Sequence, residues 1–100
     1  MSEAGERHLL VVDDDDRIRE LLKEYLARAG FRVTTAPGGA PARKLMETLD
    51  FDLAVFDVMM PGEDGFSLTK WLRDRKGMAG RTPVLMLTAR GLPEDRIEGL

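Results

Sequence analysis

Three short, unbroken apolar runs constrain this chain most: Leu9–Val12, Leu53–Phe56 and Val84–Leu87, each stopped by a side chain that carries oxygen. The stops are Asp13, Asp57 and Thr88. A run of about four apolar residues with no alternation suits a strand covered on both faces, as in a parallel sheet. Between the runs the apolar period becomes helical. Ile18, Leu21, Leu22, Tyr25 and Leu26 fall at i, i+3, i+4, i+7 and i+8, one face of a helix. Asp15 or Asp16 is placed to cap its N-terminus, and Gly30 stands where a C′ residue belongs. Phe31 to Thr35 alternates and is β-branched and aromatic, as an edge strand would be. Pro37-Gly38-Gly39 breaks the chain. Pro41 then suits a first helical turn, and Leu45, Met46 and Leu49 supply a second stripe. A loop with Pro61, Gly62 and Gly65 follows Asp57, and Phe66, Leu68, Trp71 and Leu72 predict a third helix. Glu94 to Leu100 begins a fourth, with Ile97 and Leu100 on one side. The order β-α-β-α-β-α-β-α predicts a three-layer α/β fold with a mostly parallel sheet and right-handed crossovers.

Bulk properties narrow the classes. The 100 residues are enough for one domain and one core, expected over residues 8–100 behind a short mobile tail, 1–7. The chain is 43% hydrophobic and 33% charged, the balance of a globular protein. Its net charge is −3 and its basic residues are scattered, which argues against direct nucleic-acid binding by this segment. There is no cysteine, so neither a disulfide framework nor a thiolate metal site is available. The polar start lacks a signal peptide's apolar run, and no stretch approaches the ~20 apolar residues of a membrane span. A cytoplasmic location and no membrane partner are expected.

The chemistry concentrates where the runs stop. Ligands of open parallel sheets bind beyond the carboxyl ends of the strands. If the three apolar strands are neighbours, Asp13, Asp14, Asp57 and Thr88 converge on one edge. Three close carboxylates repel each other and raise each other's pKa. A cation is required to hold them, and an all-oxygen set without His or Cys selects a hard ion. Magnesium fits, with manganese or calcium as substitutes, because it accepts few carboxylates, keeps waters and bridges to phosphate oxygens. A phosphoryl group arriving at Asp57 would complete the shell, with Asp57 attacking in line and Thr88 positioned to bond a phosphate oxygen.

These residues resemble the receiver domain of bacterial two-component response regulators. The matching segments are Val11-Val12-Asp13-Asp14-Asp15, Asp57-Val58-Met59-Met60-Pro61-Gly62-Glu63-Asp64-Gly65 and Leu87-Thr88-Ala89, in the family's order and approximate spacing. The resemblance implies a flavodoxin-like doubly wound sheet of order 2-1-3-4-5. It implies that Asp57 is the phosphorylated residue, that Asp14 binds magnesium directly and that Asp13 assists through water. It also makes Met59 a ligand through its backbone carbonyl, Thr88 the switch hydroxyl and Ala89 the small residue that leaves the aspartate accessible. Pro61 and Gly65 shape the loop after the acceptor. The implied partners are a sensor histidine kinase and, from the likeness of the segment Thr88–Leu100 to the winged-helix class, a downstream DNA-binding domain that regulates transcription. The implied activity is regulatory, with only self-catalysed phosphotransfer and dephosphorylation.

The family's fifth strand, fifth helix and phosphate-contacting lysine have no counterpart here, and Arg90 is not assigned the lysine's role. From this we expect Val84–Leu87 to form an apolar sheet edge, covered in a homodimer by swapping or edge pairing, and the segment to phosphorylate poorly. Two alternatives stay open. One is a haloacid-dehalogenase-like magnesium phosphatase, against which Arg17 stands where that motif requires Thr. The other is a receiver-like interaction module that is never phosphorylated. Plainer roles also stand: Asp13 to Asp16 as a solvated capping turn, His8 as a surface residue, Trp71 and the methionines as packing, and the basic residues of the third helix as a solvated face.

Overall fold

The computed structural model describes residues 6–87. Thr88, Ala89, Arg90, the helix expected from Glu94 and most of the expected N-terminal tail lie outside the described residues. Within them run β1 (His8–Val12), α1 (Asp16–Arg28), β2 (Arg32–Ala36), α2 (Gly39–Thr48), β3 (Leu53–Asp57), α3 (Gly65–Arg73), a 3₁₀ turn (Gly77–Arg81) and β4 (Val84–Leu87). The four strands form one sheet in the order β2-β1-β3-β4. Every pairing is parallel, and β2 takes the edge position that its alternation predicts.

Register aligns the strand ends. Val12 pairs with Ala36 on one side and with Phe56 on the other, and Asp57 pairs with Leu87. Alternate residues of each strand face opposite sides. Leu10, Val12, Ala54 and Phe56 therefore pack with Ala42 and Met46 of α2 and with Leu68 and Leu72 of α3 in one core. Leu9, Val11 and Val55 point to the other face and are also buried, and α1 packs against β1 and β2. Cover on both faces explains why the central runs show no alternation.

The helix ends follow local chemistry. Asp15 caps α1, its carboxylate accepting from the Arg17 and Ile18 amides at 2.9 and 3.3 Å. Ala29 ends the helix, and Gly30 follows with φ +101°, a conformation that favours glycine. Asp64 caps α3 by accepting from the Ser67 amide at 2.7 Å.

Three stripes are covered less than their spacing implies. No residue of α1 is fully buried, and Leu21 and Tyr25 are 66% and 69% exposed. Five apolar positions span a wider arc than a sheet surface covers, so Leu22 and Leu26 are partly buried while their neighbours face outward. In α2 only Ala42 and Met46 are buried, because Leu49 has already left the helix with extended backbone. In α3, Leu68 and Leu72 are buried while Phe66 is 62% exposed. The third run is also less enclosed than the other two, with Leu85 exposed.

Phe56 is fully buried at the centre of this core. Phe56→Ala is expected to lose about 3–5 kcal/mol of unfolding free energy in urea. Phe66→Ala, on an exposed ring, should change it by no more than about 0.5 kcal/mol.

Candidate functional site

The four consecutive aspartates after β1 separate by function. Asp13 is 5% exposed. Its amide donates to the Ala36 carbonyl of β2 at 3.1 Å, and its own carbonyl accepts from Arg19 Nη1 at 2.7 Å. Its carboxylate accepts from the Asp15 amide at 2.9 Å. Asp14 is exposed. Asp15 turns away to cap α1, and Asp16 pairs with Arg19 on the same helix. The capping turn is therefore real, but it uses Asp15 and leaves Asp13 and Asp14 free of that duty.

Asp57 is the last residue of β3, and its Oδ1 accepts from the Met59 amide at 3.2 Å. Asp13, Asp14 and Asp57 each bring a carboxylate oxygen within 4.8 Å of the others. None of the ion pairs among the described residues involves these three. The cost appears in the titration of Asp57 and Asp13. Burial, with the charges of Asp13 and Asp14 adding to it, pushes the Asp57 carboxyl up from an ordinary 3.8 to about 6. Burial likewise raises Asp13. The donor set fits a hard divalent cation: carboxylate oxygens close together, without a cationic partner among the described residues, and destabilised by one another.

The loop between β3 and α3 is held close. Val58 donates its amide to Leu87 of β4 at 2.7 Å, and Gly65 donates to the Val58 carbonyl at 2.9 Å. Gly65 is buried, and a Cβ there would stand 2.6 Å from the Asp57 carbonyl oxygen and 3.0 Å from Met86 Sδ. Only glycine permits that approach. Gly62 follows the exposed Pro61 with φ +81°. The Met59 side chain is exposed and offers only a soft thioether, so any role toward a hard ion falls to its backbone. The structure thus brings together Asp13, Asp14, Asp57, the Met59 backbone and Gly65. Thr88 and Ala89 lie outside the described residues.

Sequence reasoning missed a second group. Glu63 of the loop pairs with Arg43 of α2, and Arg43 Cζ lies 5.5 Å from the centroid of the Trp71 ring. Arg75 Cζ lies 4.9 Å from the same ring, and Arg75 approaches Glu47 at 3.7 Å. Arg73 Nη1 donates to the Thr82 carbonyl at 2.6 Å. Lys70 and Arg73 are exposed, as expected of the basic residues of the third helix, and Arg73 in addition ties the helix to the segment before β4. One sequence signal pointed this way. Gly38-Gly39 opens α2 without a capping side chain, which leaves that helix end to be met from elsewhere. His8 matches its modest expectation in part, bonding Thr34 Oγ1 at 2.7 Å at the start of β1, the opposite end of the strand from Asp13.

The raised Asp57 pKa fixes a sign. In the fold this group holds its proton more tightly than in the unfolded chain, so metal-free stability falls as pH rises from about 4 through 6. Asp57→Asn removes the charge and keeps an acceptor for the Met59 amide. It is expected to raise the metal-free Tm at about pH 8 by roughly 5 °C, about 1 kcal/mol, with no difference near pH 4, as read by circular dichroism.

Residues 9–100 match the response regulator receiver domain family. Protein PetR of Rhodobacter capsulatus is 55% identical over 100 residues, all of this chain and 40% of that protein. The transcriptional regulatory protein GltR of Pseudomonas aeruginosa is 47% identical over 97 residues, 97% of this chain and 40% of that protein. The chain thus spans 40% of the length of these curated relatives. Among solved structures, the response regulator TrrA of Thermotoga maritima, in complex with Mg2+–BeF, superposes with a TM-score of 0.77 at 35% identity, over 92% of this chain and 76% of that one. The chain belongs to the response regulator receiver domain family of two-component systems.

Proposed function

We propose that this domain accepts a phosphoryl group from a sensor histidine kinase onto Asp57, with magnesium held by Asp13, Asp14, Asp57 and the Met59 carbonyl. The observation that carries the reading is the convergence of three carboxylates within 4.8 Å at the sheet edge, without a cationic partner among the described residues. Each residue then has a definable task. Asp13 is immobilised by its amide, carbonyl and carboxylate bonds, so its charge sits at a fixed point. Asp14 is exposed and open to solvent. Asp57 is the nucleophile: its carboxylate oxygen attacks phosphorus, a new O–P bond forms, and the donor's P–N bond breaks with its electron pair returning to the imidazole. A titration near 6 leaves Asp57 ionised, and so nucleophilic, at neutral pH and above. A bound magnesium would supply neutralisation of charge on the transferring group.

The same reading assigns Thr88 as the switch hydroxyl and Ala89 as the small neighbour that keeps Asp57 accessible. It gives Pro61 and Gly65 the shaping of the acceptor loop. Phosphorylation adds charge that biases this switch and drives a DNA-binding output, consistent with the transcriptional role in GltR's name. A cytoplasmic setting and a homodimer complete the proposal. No helix among the described residues is long and apolar enough to cross a membrane.

Incubation of the full-length protein with a small acyl-phosphate donor and magnesium should add the mass of one phosphoryl group, as an alkali-labile adduct. Asp57→Asn should abolish it. Labelling of the variant at the rate of the unsubstituted protein would overturn the assignment. Asp13→Asn should weaken magnesium binding about tenfold or more, read by calorimetry.

A further inference from the structure

The Glu63–Arg43–Trp71 group joins the acceptor loop to a helix that carries none of Asp13, Asp14 and Asp57. Glu63 is the last loop residue before the α3 cap, and its side chain is 17% exposed against 37% for Arg43. Its carboxylate lies against Gly39, the first residue of α2, where any Cβ would collide with it. That helix end has no capping side chain and no acidic residue in its first turn. Glu63 therefore supplies from outside the negative charge that a helix N-terminus favours. Arg43, one turn further along α2, closes the contact. Its guanidinium rests over Trp71, and its Nε is buried without a hydrogen-bond partner among the described residues. That missing bond is a cost, which the ion pair with Glu63 and the face of Trp71 offset.

The connectivity gives this contact a consequence at the carboxylates. Asp13 is bonded through its amide to Ala36, the last residue of β2, and the chain passes from there through Pro37 and Gly38 into α2. Glu63 then returns from α2 to the loop that begins after Asp57. Asp13 and Asp57 are thus linked twice: once through the β1–β3 pairing, and once around the outside through β2, α2 and Glu63. Among the described residues, Glu63 and Arg43 close the polar part of the second path, beside the apolar packing of Ala42 and Met46 with Phe56, Leu68 and Leu72. Resting on the magnesium-site reading above, we propose that Arg43 and Glu63 are positioning residues. Their clamp, seated on Trp71, holds the loop of residues 58–64 so that the Met59 backbone and Asp57 present themselves to the cation.

The test turns on a sign. Removing a positive charge near an acidic site should, by long-range electrostatics, tighten cation binding. A clamp predicts the reverse, because a released loop spends less time in the binding-competent geometry and apparent affinity falls by that fraction. Magnesium titrations by calorimetry on the unsubstituted chain and on Arg43→Gln should show binding weakened about fivefold in the variant. Glu63→Gln should weaken it too, and the double variant should be no worse than the weaker single one, because either change already opens the clamp. Unchanged or tighter binding in Arg43→Gln would overturn the proposal, as would additive losses in the double variant. If Arg43→Gln does not fold by circular dichroism, the loop variant decides: unchanged binding in Glu63→Gln overturns the clamp. Absence of magnesium binding by the unsubstituted chain would sink the metal-site reading itself, a result distinct from all of these.

Discussion

The parallel register of β1 against β3 is the constraint on which the rest depends. Val12 stands opposite Phe56, so the next residues, Asp13 just past β1 and Asp57 at the end of β3, stand at the same level. Nothing in either segment alone brings the two carboxylates together. Core packing on both faces sets that level, and a slip of one residue would carry Val12 and Phe56 to the opposite face, against the wrong helix layer. The apolar strands are thus the device that fixes the spacing of the polar ones.

Packing and charge oppose each other at this edge. The core favours bringing the strand ends together, and the carboxylates resist it: burial first, and the neighbouring aspartate charges after it, push Asp57 and Asp13 up. A local conflict of this kind inside a consistently patterned fold is where function is expected. The surrounding backbone is arranged to tolerate it. Asp13 is fixed by hydrogen bonds from neighbours in sequence and space, and Asp57 accepts one from the loop it begins.

Much of this was legible in the sequence because it is periodic or punctuated. Unbroken runs marked the central strands, alternation marked β2 as an edge, and an aspartate or glycine marked the ends of α1. The site was legible because its members sit immediately after strands, where topology gathers them. What escaped was coverage and cross-chain pairing. Spacing shows that Leu21 and Tyr25 share a face with Leu22 but not how far the sheet reaches around it. Arg43 and Glu63 are twenty residues apart and belong to no periodic pattern. Arg73 and Arg75 carry charge that reads as solvated until their carbonyl, aromatic and carboxylate partners are seen. The residues from Thr88 onward lie outside the described structure, so the switch hydroxyl rests on family resemblance.

The contact of Gly65 with the Asp57 carbonyl gives the acceptor strand and α3 a shared joint. Atoms in van der Waals contact with no intervening side chain leave no slack between them. Leu68 and Leu72 then run from that joint down the buried side of α3. The peptide that carries Asp57 and the first turn of α3 therefore meet backbone to backbone. Leaving out one methyl group sets the start of the helix directly against the strand that bears the carboxylate.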